Sequence, residues 1–124
     1  MIEITGRDFN KEVLGCDVPV FACFTTEWCQ PCYATCLIAD QLTREYDGVV
    51  KFVRLDMEKS PEIAERYHII AVPTILLFQN SRPAKRLLGF QDRNSLRILL
   101  SSATSGNTIR GVTRLSSRYN RAYL

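Results

Sequence analysis

No apolar stretch in the chain approaches the ~20 residues that cross a bilayer; runs such as Ile75–Phe78 end after a few residues. The first thirteen residues carry charges throughout and lack an apolar core and a small-residue cleavage site. An intracellular, cytoplasmic protein is therefore expected. No glycine-rich phosphate loop is present, so no nucleotide site is expected in the chain itself. There is no internal repeat and no low-complexity tract. The only histidine, His68, lies far along the chain from the cysteines and reads as structural. The odd cysteine count, five, excludes a fully paired disulfide framework.

What is present is ordinary globular composition. With 46% hydrophobic and 23% charged residues, the bulk of the chain has enough apolar surface to fold. Its 124 residues suffice for one domain with a tail. Charge marks the boundary. Residues 1–104 carry 12 basic and all 13 acidic side chains, whereas 105–124 hold Arg110, Arg114, Arg118 and Arg121 and no acid. The near-neutral body gives no reason to expect nucleic-acid binding.

The patterning predicts alternating elements. Asp8–Leu14 reads as a short helix with Asp8 as its cap, and Val18–Phe24 as a buried strand. Cys29 to about Tyr46 reads as a helix whose apolar stripe includes Leu37, Ile38 and Leu42. Val49–Leu55 is a second buried strand. A helix capped by Ser60 with Pro61 at its first position follows. Thr74–Phe78 and Ala84–Leu88 read as strands joined by a turn at 79–82, so they are antiparallel. A last helix covers Asp92–Ser101, with Leu96, Ile98, Leu99 and Leu100 apolar. The sum is an α/β fold: a mixed sheet with helices on both faces.

The cysteines lie at 16, 23, 29, 32 and 36, all in the first third. Clustering of this kind points to redox or metal chemistry rather than stapling. In Thr25-Thr26-Glu27-Trp28-Cys29-Gln30-Pro31-Cys32 a strand ends and a helix begins. Cys29 then sits at a helix N-terminus, where unpaired N–H groups and the macrodipole favour its thiolate, the nucleophilic form. Cys32 falls one turn on, within reach of a disulfide. Pro31 is tolerated in a first turn. Such a pair suits thiol–disulfide exchange, with Cys29 attacking and Cys32 resolving the mixed disulfide. The competing reading is half of a metal site.

Trp28-Cys29-Gln30-Pro31-Cys32, Ala71-Val72-Pro73-Thr74 before a strand, and Leu88-Gly89 before the last helix resemble the thioredoxin family over about residues 2–104. The resemblance implies a central mixed sheet of four to five strands flanked by helices on both faces. It implies a protein-disulfide reductase with no bound cofactor, its redox centre being the Cys29–Cys32 disulfide. Its electrons would come from a thioredoxin-reductase-type flavoenzyme using NADPH, and a monomer is the default. It makes Pro73 the family's cis-proline facing the disulfide, with Val72 beside it. Trp28 becomes a shield and partner contact, Gly89 part of the partner groove, and Gln30 and Pro31 the dipeptide that tunes the pair.

Three departures stand out. Cys23 occupies the position of the family's buried aspartate, the proton acceptor for the second cysteine, and Arg54 that of its lysine partner. A neutral thiol serves poorly as a base, so resolution by Cys32 is expected to be slow near neutral pH unless Glu27 or water substitutes. The dipeptide is Gln-Pro rather than Gly-Pro. Cys36 follows Cys32 by four residues on the same helical face, either as a small core residue or as a third thiol. A four-thiolate metal set of Cys23, Cys29, Cys32 and Cys36 is one alternative to the enzyme reading, and an adaptor module is another. Cys16 reads as an exposed thiol without a role.

Residues 101–107 read as a small-residue linker. Beyond it, Ile109, Val112, Leu115, Tyr119 and Tyr123 recur at helical spacing opposite the four arginines. This would be a cationic amphipathic helix able to dock on the body, an acidic partner or an anionic membrane. Disorder is the competing reading for so short a helix.

Overall fold

The computed structural model describes the backbone of residues 1–116 and the side chains of residues 1–104. Its centre is β2 (Val20–Thr25), buried at every position. That burial explains why its sequence is continuously apolar rather than alternating. Parallel to β2 runs β3 (Lys51–Asp56), followed outward by β1 (Ile2–Ile4). On the other side β4 (Thr74–Gln79) pairs antiparallel with β2, and β5 (Arg82–Leu88) with β4. The order is β1-β3-β2-β4-β5. The switch from parallel to antiparallel follows from the connections: a helix crosses between β2 and β3, whereas Asn80 and Ser81 alone join β4 to β5. Both turn residues have positive φ, 55° and 66°, as a tight hairpin requires. Pro83 lies on the edge strand, where its missing N–H costs no ladder bond.

Successive side chains of β2 enter different cores. Val20, Ala22 and Phe24 join Phe9, Val13 and Ile63, supplied by α1 (Gly6–Phe9), the π-helical turn Asn10–Leu14 and α3 (Pro61–Arg66). Phe21 and Cys23 meet Cys36, Ala39, Leu42, Leu96 and Leu100 from α2 (Gln30–Leu42) and α4 (Arg93–Ser116). The period of two thus aims Cys23 at α2.

The strand expectations hold to within two residues, and β1, too short to show a period, was not among them. The helices differ more. α1 starts at Gly6, whose N–H is taken by Ser60 Oγ at 2.9 Å. Ser60 therefore spends its side chain on Gly6 rather than on capping α3. α2 stops at Leu42, not Tyr46, and Thr43 Oγ1 donates to the Asp40 carbonyl there. The buried face of α2 is the small set Cys32, Thr35, Cys36, Ala39 and Leu42, while Leu37 is 61% exposed. Small residues let α2 lie close on the sheet. Among the described side chains of α4 the buried ones are Leu96, Leu99, Leu100 and Ala103, and Ile98 faces solvent.

The expected linker at 101–107 is helical, because α4 runs to Ser116. Ser102 and Thr104 satisfy their hydroxyls on the carbonyls of Leu99 and Leu100, which lets small polar residues stay in a helix. The apolar and cationic faces read from Ile109 to Tyr123 lie outside the described side chains. Among the described residues no helix is long and apolar enough to cross a membrane.

Candidate active site

The C-terminal ends of β2 and β3 build the site. β2 delivers the chain through Thr25 and Thr26 to Cys29, the residue preceding the first turn of α2. There Cys29 is extended (φ −90°, ψ 108°), and its sulfur accepts the backbone N–H of Cys32 at 3.1 Å. That N–H is one of the orphan donors of a helix start, so the sulfur acts as the cap. Pro31 occupies the first turn. Cys29 and Cys32 form a disulfide with Cα atoms 5.2 Å apart, and they are 4% and 2% exposed.

Around the disulfide the chain leaves a depression of about 590 Å³. It is bordered by Trp28, Gln30, Pro31, Glu58, Ile70 and Val72, with Cys29 in its wall. Trp28 is 68% exposed, so it is no core aromatic; its indole N–H donates to Glu58 Oε2 at 3.2 Å. Ile70 is 89% exposed. An exposed tryptophan and isoleucine flanking a disulfide offer apolar contact to another chain. The Val72–Pro73 peptide bond is cis, and the Pro73 carbonyl accepts the Gly89 N–H at 2.8 Å. Gly89 has φ +79°, and a Cβ there would stand in open space.

Behind Cys32 lies a second, smaller pocket of about 160 Å³, lined by Glu27, Cys32, Cys36, Arg54 and Asp56, among others. Arg54 pairs with Glu3 at its rim, Nη2 to Oε1 3.3 Å. Glu27 meets Lys59 at 3.5 Å, and its backbone carbonyl accepts the Tyr33 hydroxyl at 2.5 Å. Glu3 and then Glu27 raise the Lys59 pKa above its usual value. Thr26 borders both depressions, and its Oγ1 is buried without a hydrogen-bond partner among the described residues.

Cys23 is wholly buried, its sulfur 3.9 Å from that of Cys36. The contact with Cys36 and its burial push the Cys23 thiol well up, so at neutral pH it keeps its proton and takes none from Cys32. The four cysteines of the possible metal set fall into two pairs, one bonded and one in contact. Among the described residues no group of three or more His, Cys, Asp or Glu side chains is placed to hold a metal ion. Cys16 is half-buried, not exposed: it packs on the Phe9 and Val13 side of the sheet. His68 is an exposed residue with φ 56°.

Sequence reasoning missed Asp56, Glu58, Tyr33 and Ile70. Asp56 ends β3, and the C-terminal ends of strands are where sites of open α/β sheets gather; that signal was available. Glu58 and Ile70 reach the site only through the path of the chain after β3, which no local pattern reports.

The family model described as Thioredoxin matches residues 1–102. The thioredoxin of Rickettsia felis is 39% identical over 93 residues, covering 75% of this chain and 89% of that one. Thioredoxin 1 of a Nostoc species is 30% identical over 94 residues, covering 76% and 88%. The bifunctional thioredoxin reductase/thioredoxin of Mycobacterium leprae is 30% identical over 95 residues, which span 77% of this chain and 21% of that protein. With a dithiol pair at the start of α2, a sheet of this order and relatives of this kind, the chain belongs to the thioredoxin family and is a protein thiol–disulfide oxidoreductase.

Proposed function

We propose that the chain works as a reductant of protein disulfides in the cytoplasm, recharged by a thioredoxin-reductase-type flavoenzyme that draws on NADPH. The observation that carries this reading is the Cys32 N–H directed at the Cys29 sulfur. A donor fixed on the sulfur, together with the α2 dipole, stabilises the thiolate once the disulfide is opened. The dipole alone contributes about 0.3–2 kcal/mol. The thiolate is the form that attacks a partner disulfide, so the fixed donor supplies the nucleophile that the exchange needs.

A partner segment enters the groove against Trp28, Ile70 and Val72, next to the cis Val72–Pro73 bond. Cys29 attacks one partner sulfur; the partner's S–S bond breaks and its second sulfur leaves with the electron pair. Cys32 loses its proton into the pocket shared with Glu27 and Asp56, then attacks the Cys29 sulfur. The Cys29–Cys32 bond forms and the partner leaves as a dithiol. Three unpaired cysteines, Cys16, Cys23 and Cys36, fit a compartment that keeps thiols reduced. The reductase domain fused to the Mycobacterium leprae relative supports a dedicated reductase as electron source.

Equilibration in thiol/disulfide buffers, with alkylation and intact mass as readout, tests the direction of electron flow. A potential near about −270 mV is expected; one near about −180 to −120 mV would make the chain an oxidant or isomerase.

A further inference from the structure

Two thiols stand behind the resolving cysteine, and the exchange described above uses neither. Cys23 points from β2 toward α2, and Cys36 lies one helical turn beyond Cys32. Their sulfurs are 3.9 Å apart, with Cys23 fully buried and Cys36 7% exposed. Packing does not require sulfur at this level, since Ala39 fills the same face of α2 one turn on.

The two are not equivalent. Cys36 borders the pocket that also contains Cys32 and Arg54, whereas Cys23 is sealed beneath it. The hydrogen bond with Cys23 and then the nearby Arg54 charge lower the Cys36 pKa, against the effect of burial. The same contact, with burial, raises that of Cys23. The more distant Asp40 carboxylate opposes ionisation of both. Of the two, Cys36 is therefore the readier nucleophile and Cys23 the thiol that holds its proton more tightly. An accessible attacking sulfur backed by a sealed one is the same division of labour as in the surface pair.

We propose that Cys23 and Cys36 are a second redox-active pair, oxidised by the Cys29–Cys32 disulfide through Cys32. The proposal rests on the exchange activity of the surface pair and doubles the reducing equivalents one chain carries. The Cys36 thiolate attacks the Cys32 sulfur; the Cys32–Cys36 bond forms, the Cys29–Cys32 bond breaks, and Cys29 leaves with the electron pair. Cys23 gives up its proton, which ends on Cys29, and attacks the Cys36 sulfur. The Cys23–Cys36 bond forms and Cys32 leaves as a thiolate. One disulfide is lost and one gained, and no outside oxidant enters. Residues four apart on a helix have Cβ atoms about 5–6 Å apart, against about 3.5–4.5 Å in a disulfide. The Cys32–Cys36 link is therefore stretched and passes its oxidation on.

The test titrates the reduced full chain with glutathione disulfide at rising disulfide-to-thiol ratio, traps thiols with alkylator, and counts them by intact mass. Five free thiols are expected to fall to three and then to one, Cys16. Peptide mapping without reductant should then join the Cys23 and Cys36 peptides. A chain that completes the first step and stays at three overturns the second pair. Absence of the first step would sink the exchange reading, and this one with it. The Cys29→Ser variant removes the internal oxidant while leaving Cys32 in place. Its Cys23–Cys36 bond should form about tenfold more slowly than in the parent chain; an equal rate overturns the route through Cys32.

Discussion

Arg54 of β3 lies opposite Cys23 of β2 in the parallel register, beside the pocket behind Cys32. A cation is thus in place where the buried partner on β2 is a thiol that holds its proton. Replacing Cys23 by aspartate would set a carboxylate next to Arg54 and give Cys32 a base. Cys23→Asp should speed resolution of the mixed disulfide at pH 7 by about tenfold or more, within the range of positioned acid–base catalysis. Quench-flow trapping of the mixed disulfide across pH measures this, with Cys23→Asn as the polar control without a base. An unchanged rate and pH profile would show that Glu27 or water already does the work. The variant should also be less stable by about 1–3 kcal/mol, because the strand position is dry.

Gly89 combines a left-handed backbone with open space in front of its missing Cβ. A side chain there is strained by about 1–2 kcal/mol whatever its size. Gly89→Val should lower the urea midpoint accordingly. It should also cut kcat/KM for a protein disulfide about tenfold, the equivalent of about 1.4 kcal/mol in partner contact. Glutathione disulfide, too small to use the groove, should be reduced at nearly the parent rate. Equal losses on both substrates would remove Gly89 from partner recognition.

The Lys51 ammonium reaches both the carboxylate and the backbone carbonyl of Glu12, linking β3 to the π-helical turn. The hydrogen bond and then the charge of Lys51 hold the Glu12 carboxyl below its ordinary range. A folded-state pKa below the unfolded one contributes stability above the unfolded value, about 4.3, and loses it as pH falls through the folded value. Glu12→Gln should therefore flatten the fall in stability between pH 5 and pH 3, with little change in its shape above pH 6. Urea denaturation at each pH is the measurement; an unaltered acid slope would mean the pair is screened by solvent.

The sheet and the reactive pair were legible because each is written locally. Continuous apolar runs mark β2 and β4, and a strand, a CxxC and a proline mark the start of α2. What was not legible depends on distance in sequence. The face of α2 was misread because Leu37 is more hydrophobic than Cys36, yet only small residues fit against the sheet. Ile98 was misread for the same reason: its period places it within the apolar run, but the rotation of α4 turns it outward. The contact of Cys23 with Cys36 joins positions 13 apart, one on a strand and one on a helix, and no spacing rule connects them. Glu58 reaches Trp28 across 30 residues.

α4 gives the sharpest test of the domain boundary. Its last described buried side chain is Ala103, the family match ends at residue 102, and the helix continues to Ser116. If the body is complete at Thr104, a chain ending there loses helix but no core. Its rate of protein-disulfide reduction should stay within about twofold of the full chain, and its unfolding free energy within about 0.5 kcal/mol, the scale of changes away from packed features. Limited proteolysis should trim the full chain to the same point without loss of activity. A stability loss above about 1 kcal/mol would place part of 105–124 on the body. Slower reduction of protein but not of small disulfides would instead make those residues, with their four arginines, a partner contact.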